Sequence, residues 1–179
     1  MDFLQGIRSQ TDKLDFLFQA LVKTSRLETG AIRLEKKDSS LFHTLAQAMS
    51  SIVYAAEKKE IAVSVDCPEN LIISHDSKWT SEALFNLLDN AVQALQKTDG
   101  KRELKIAMTY RKGMLFIAVK NTYPGKVHYE NGEIVTTKED TESHGYGLKN
   151  VESAAEKYHG ICQLHHNDVY FDAEVALYL

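Results

Sequence analysis

Between Glu82 and Leu95 the chain reads Glu-Ala-Leu-Phe-Asn-Leu-Leu-Asp-Asn-Ala-Val-Gln-Ala-Leu, and this stretch restricts the possible folds more than any other. Leu84, Leu87, Leu88, Ala91, Val92 and Leu95 recur at helical spacing and predict a helix with one buried face. Glu82, Asn86, Asn90, Gln93 and Lys97 fall on another face, at steps of four, four, three and four. Asn competes for the backbone through its side-chain amide, so two of them one turn apart in so apolar a helix need a reason. A solvated face is one reason and a binding face another; the helix alone leaves both open.

The chain around it has 179 residues, a length for one domain plus an extra element, and 44% of them are hydrophobic, enough for a real core. A formal net charge of −4 leaves no basic footprint, so nucleic acid is not an expected partner. Cys67 and Cys162 have no metal or redox spacing, which fits a reducing compartment. No run of about 18 apolar residues occurs, and the first residues lack the apolar stretch of a signal peptide. The expected location is the cytoplasm, with a membrane anchor possible only in a longer parent protein.

Leu4, Ile7, Thr11, Leu14, Phe18 and Leu21 form a heptad-like seam on a helix over about residues 2 to 28, with Gly30 as its C-terminal cap. No second helix of matching length follows, which points to pairing between chains. Ile32 and Leu34 predict a short strand, Ser39 or Ser40 a cap, and Leu41, Leu45, Ala48, Met49 and Ile52 a helix ending near Lys59. Strands follow at Ile61 to Val65 and Leu71 to Ser74, and Asp76 or Ser77 starts the polar-striped helix. Glu103 to Tyr110 and Met114 to Lys120 form a hairpin across Arg111-Lys112-Gly113. Residues 122 to 143 have almost no hydrophobic periodicity and read as a lid or a disordered connection. A helix from Tyr146 to Tyr158 and strands at about 161 to 166 and 169 to 178 complete the chain.

Ser143-His144-Gly145-Tyr146-Gly147-Leu148 leads into that helix. Two glycines ahead of a helix let backbone N–H groups approach an anion, and the helix N-terminus adds partial positive charge. By itself this is a weak signal, since such a pair is often only a tight turn. Together with a helix whose amides could hold a hydrated Mg²⁺ through side-chain oxygen, it points to a metal-bound phosphate.

Asn86-Leu-Leu-Asp-Asn90-Ala resembles the N box of sensor histidine kinases, whose ATP-binding domain has the GHKL or Bergerat fold. His144-Gly145-Tyr146-Gly147-Leu148 resembles the G2 box in its His-Gly-x-Gly-Leu form. The resemblance runs from about Ser39 to the end, and the leading helix, with Ser25-Arg26-Leu27-Glu28, is similar to the second helix of a dimerisation and histidine-phosphotransfer bundle. It implies an α/β (α+β) two-layer sandwich, a mixed sheet of about five strands with three helices on one face, plus a long N-terminal bundle helix. The implied domains are 1–30, part of the bundle, and 31–179, the catalytic ATP-binding domain with its lid at about 122–143.

By this resemblance Asn90 is the Mg²⁺ ligand. Asn86 stands where ATP-hydrolysing relatives carry a catalytic Glu, and an amide cannot serve as a base for water, which points to phosphoryl transfer rather than hydrolysis. Gln93 stands where many of these kinases have a phosphate-touching Lys. Asn121 either replaces the Asp that accepts from the adenine amino group, its carboxamide oxygen still accepting one bond without charge assistance, or only opens a turn before Pro124. Of the glycines usual beside that Asp only Gly125 remains. Lys138 in the lid and His144 either reach phosphate or are ordinary loop residues, and Tyr146 either contacts nucleotide or packs. The backbone of Gly145, Tyr146, Gly147 and Leu148 would hold the phosphates.

No His lies in residues 1 to 42, and His43 lacks the acidic neighbour expected of a phosphoacceptor. The implied reaction is transfer of the γ-phosphoryl of Mg²⁺-ATP to a His outside this sequence, for relay to an Asp on a response regulator. The implied partners are ATP and ADP, the phosphotransfer helix of a parent kinase, a response regulator and a second copy in a full-length homodimer. Two rivals remain: an anti-sigma-like serine kinase of the same superfamily, and a non-catalytic interaction module with a decayed ATP site.

Overall fold

A computed structural model of the chain describes residues 33–123, 128–130, 133–135 and 146–179. The expected bundle helix lies outside these residues. Elements run in the order β1 (Lys37–Ser40), α1 (Leu41–Met49), α2 (Ile52–Lys58), β2 (Ala62–Asp66), β3 (Ile72–His75), α3 (Ser77–Gln96), β4 (Glu103–Arg111), β5 (Met114–Thr122), β6 (His128–Glu130), β7 (Glu133–Val135), α4 (Tyr146–Lys157), β8 (Ile161–His166) and β9 (Tyr170–Tyr178).

Five strands form one mixed sheet in the order β2-β4-β5-β9-β8, with β2 and β4 parallel and the other pairs antiparallel. Side chains alternate across a strand, so Leu104, Ile106 and Met108, Leu115, Ile117 and Val119, and Ala173, Val175 and Leu177 point to one face and are buried there. The helices cover that face. α3 lies centrally, against α1 and α2 on one side and α4 on the other, and its Leu84, Leu88 and Leu95 are completely buried. The expected two-layer α/β sandwich is the observed one.

Local chemistry explains the boundaries. Ser40 caps α1 by accepting from His43 N, and Asp76 caps α3 by accepting from Trp79 N. Lys112 and Gly113 both have positive φ, the two-residue turn whose twist suits a hairpin between β4 and β5. α2 and α4 end in Schellman motifs whose left-handed residues are Glu60 and His159 instead of glycine. In α4, Gly160 N donates to Ala155 O at 2.8 Å and His159 N to Glu156 O at 2.9 Å.

Two expectations shift. The helix expected to continue to Lys59 is broken after Met49, because Ser50 donates through both Oγ (2.8 Å) and N (3.3 Å) to Gln47 O, so the helix layer holds four segments instead of three. The first described strand sits at Lys37–Ser40, past Leu34, because its position is set by antiparallel pairing with β3, while Ile32 lies outside the described residues. Within the connection expected to be a lid or disordered, β6 and β7 pair antiparallel. Among the described residues no helix is long and apolar enough to cross a membrane.

Candidate functional site

The packing of α3 against α4 decides where the polar stripe points. At one end of the pair Tyr158 Oη accepts from Asp76 N at 2.8 Å and lies 3.3 Å from Thr80 Oγ1. An apolar crevice runs from there between the helices, lined by Trp79, Ala83 and Leu87 of α3, by Ala154 and Val151 of α4 and by Tyr158 just after it, over Ile117 and Val175 of the sheet. The start of α3 therefore meets the end of α4. Leu87, seven residues on from Thr80, shares the crevice with Val151, seven residues back from Tyr158, so the helices run antiparallel.

Trp79, Ala83, Asn86 and Asn90 follow at steps of four, three and four, which puts the two asparagines on the face that Trp79 and Ala83 turn toward α4. One turn before Val151 on α4 stand Gly147 and Leu148. The two carboxamides and the first turn of α4 thus fall at the same end of the pair, ~15 Å from the Tyr158 hydroxyl. Glu82, Asn86, Asn90 and Gln93 are all half-buried, and only Lys97 of the stripe is exposed.

The sheet brings a third component to this end. Tyr178 N donates to Tyr158 O at 3.1 Å, which fixes the Met114 end of β5 beside the junction, since Met114 pairs with Tyr178. β5 runs away from it for seven residues, ~23 Å, to Asn121. Asn121 shares the helix-facing side with Leu115, Ile117 and Val119 and is 2% exposed. Its Nδ2 donates to Thr122 O at 3.0 Å, an orientation that leaves Oδ1 as the acceptor for a ligand N–H. Thr122 holds the strand end, donating to Lys101 O at 2.9 Å and accepting from Glu103 N at 3.1 Å.

Two residues beside Asn121 escaped the sequence reading. Phe171 is its register partner on β9, and Tyr123 alternates onto the same face; their rings lie 6.3 Å apart at 57°. The spacing of Tyr123, two residues after Asn121, was the available signal. Burial raises the Tyr123 phenol above its ordinary value.

Gln93 is tied within its own helix, its Nε2 donating to Asp89 Oδ2 at 2.5 Å. Gly125, Lys138, His144 and Gly145 lie outside the described residues, and Tyr146, Gly147 and Leu148 form the start of α4. Among the described residues no three His, Cys, Asp or Glu side chains group as a metal site. The donors on hand are carboxamide oxygens and helix N–H groups, which suit a cation that keeps most of its water and arrives with phosphate.

A family model described as GHKL domain matches residues 80–178, more than half of the chain. The hybrid signal transduction protein dokA of Dictyostelium discoideum is 28% identical over 116 residues, which are 63% of this chain and 7% of that protein. The chain therefore spans a small part of this curated relative. Among solved structures, the Acinetobacter baumannii histidine kinase AdeS superposes with a TM-score of 0.79 at 16% identity, covering 99% of this chain and 85% of that one. Full-length ShkA in complex with AMPPNP gives 0.77 at 17% identity, over 98% of this chain and 38% of that one. The nucleotide-free catalytic domain of histidine kinase ThkA gives 0.66 at 18% identity, over 80% and 95%. At such identities the likeness concerns the fold.

Proposed function

The chain belongs to the GHKL domain family, and from that premise we propose that it is the ATP-binding catalytic domain of a two-component sensor histidine kinase. The observation that carries the reading is the convergence of Asn86, Asn90, Asn121 and the first turn of α4 at one end of the helix layer. Its scale suits a nucleotide: a hydrogen-bond acceptor at the sheet, carboxamides in the middle and helix N–H groups opposite them. The fold likeness to ShkA, whose structure contains AMPPNP, supports the same reading.

In this account the adenine amino group donates to Asn121 Oδ1, beside the rings of Tyr123 and Phe171. Asn90 holds Mg²⁺ through its side-chain oxygen, and the N–H groups at the start of α4, with Gly145 and His144 ahead of it, hold the phosphates. Bound Mg²⁺ would neutralise phosphate charge. The chain's own contribution is positioning and electrostatics, which dominate phosphoryl transfer. Asn86 has no basic atom to activate water, so the γ-phosphoryl group goes to a His on a bundle helix outside this sequence, and from there to a response-regulator Asp. Residues 1–30 would belong to that bundle, 31–179 would be the catalytic domain, and Lys138 would reach phosphate from the lid. The parent kinase would act as a homodimer in the cytoplasm.

One observation favours a weaker site: Gln93, at the position of a phosphate-touching Lys, has its amide nitrogen bound to Asp89. A decayed interaction module is the rival it supports. Calorimetric titration with Mg²⁺ and a non-hydrolysable ATP analogue separates the two. The kinase reading expects binding that weakens by about tenfold or more in Asn90→Ala, the loss of a direct metal ligand. No binding at millimolar nucleotide contradicts it. Phosphoryl transfer in trans to an added bundle fragment then tests the reaction itself.

A further inference from the structure

At the end of the helix pair opposite the proposed nucleotide site, three parts of the chain are tied through two buried side chains. Asp76 is 6% exposed and Tyr158 1%. The Asp76 carboxylate accepts from Trp79 N at 3.1 Å, capping α3, and with its other oxygen from Glu35 N at 2.9 Å. Asp76 N donates to Tyr158 Oη at 2.8 Å, and that hydroxyl meets Thr80 Oγ1 at 3.3 Å. The Lys36 ammonium sits 5.0 Å from the centre of the Tyr158 ring. Immediately afterwards β1 pairs with β3, from Lys37 opposite His75 to Ser40 opposite Ile72. The chain arriving at residue 35 is therefore fastened at one point to the N-cap of α3 and to the residue that follows α4.

We propose that Asp76 and Tyr158 are positioning residues that couple the docking of the incoming segment, Glu35 to Ser40, to the closure of the nucleotide site. The inference rests on the functional reading above. Its physical content is a lever. α3 and α4 are pinned together at the Tyr158 hydroxyl, while Asn90 and the first turn of α4 lie ~15 Å along from the pin. A small change of angle at the pin alters the gap at the far end, where phosphate and metal would be held. The segment preceding residue 37 contributes one of the bonds to the Asp76 carboxylate that caps α3, so moving it biases that angle. By linkage, nucleotide must in turn tighten the docking of Glu35 to Ser40.

Two conservative variants isolate the coupling. Asp76→Asn keeps a good N-cap, because Asn caps as well as Asp, but has one acceptor oxygen to serve both Trp79 N and Glu35 N. Tyr158→Phe keeps the buried ring and removes the hydroxyl. Hydrogen exchange of the full chain is followed with and without saturating Mg²⁺ and a non-hydrolysable ATP analogue, and its affinity is measured alongside. In the wild type the nucleotide slows exchange at Glu35 to Ser40, remote from the site. In Asp76→Asn and Tyr158→Phe that remote slowing is lost and affinity falls by roughly threefold or more, the scale on which residues outside a site alter coupling. A purely structural role would lower the melting midpoint and leave the nucleotide-induced slowing in place. Wild-type binding with no slowing at Glu35 to Ser40, or slowing that persists in both variants, overturns the coupling alone. A wild-type chain that binds no nucleotide overturns the functional reading and the coupling with it.

Discussion

Asn121, which in the proposed reading stands where the resembling kinases carry Asp, is tied to its surroundings through the Thr122 carbonyl. Substituting Asp, the usual residue of the resembling kinases, would replace the Nδ2 donation to the Thr122 carbonyl by an oxygen facing an oxygen in a site 2% exposed. Asn121→Asp is therefore expected to lower stability by about 1–3 kcal/mol, the cost of an unsatisfied buried polar pair. Denaturant melts check this, and an unchanged midpoint contradicts it. Cys162 gives a second prediction at this scale. Burial, with the Glu152 carboxylate, pushes its thiol from 9.0 to about 11. At pH 8 only about one thiol in a thousand is then ionised, so Cys162 should react with a thiol reagent far more slowly than an unperturbed cysteine. Fast labelling of Cys162 in the native chain would contradict the burial assigned to it.

Adjacent residues after α4 carry opposite expectations at the scale of the element. His159 occupies a left-handed conformation with φ of 53°. Replacing it by Gly removes that strain and should stabilise by about 1 kcal/mol. Gly160 next to it is constrained by space, since a Cβ there would lie 2.0 Å from the Ala176 carbonyl oxygen on β9. Gly160→Ala must shift a backbone strand and should destabilise by about 1–3 kcal/mol. Thermal melts of the pair that move in the same direction would contradict the turn described here.

The elements also divide what was legible in the sequence from what was not. α3 could be read because the apolar positions from Leu84 to Leu95 repeat with helical period, and the caps at Ser40 and Asp76 because capping is local. The break at Ser50 depended on which carbonyl a serine hydroxyl would select, and the place of β1 on its partner β3. The junction of Asp76 with Tyr158 joins residues 82 positions apart and leaves no trace in local spacing. In the site, the N-box asparagines and the glycines before α4 were visible as separate motifs. That Asn86, Asn90, Asn121, Phe171 and the start of α4 fall at one end follows from the antiparallel packing of α3 on α4 and the register of β5 on β9.

For the whole molecule, one sheet face carries the helices and their core, and groups buried there make its stability depend on pH in the alkaline range. The Cys162 thiol and the Tyr158 phenol are both raised by burial, so the folded state holds these protons more tightly than the unfolded chain. The Cys162 contribution is complete below about pH 9 and is lost as pH rises through about 11; Tyr158 acts in the same direction. The melting midpoint should fall across that window, less steeply in Cys162→Ala. A midpoint level from pH 9 to 11 would contradict the assignment.

The proposed site would be a property of the assembled domain, since its candidate residues come from α3, β5 and α4. Amide spectra of the isotope-labelled full chain, recorded while Mg²⁺ and a non-hydrolysable ATP analogue are added, test this most directly. The account predicts that the side-chain amides of Asn86, Asn90 and Asn121 and the backbone amides of Gly145 and Gly147 shift together, with one binding curve. Shifts at the Asn90 side chain without shifts at Gly145 and Gly147, or at neither, would contradict it.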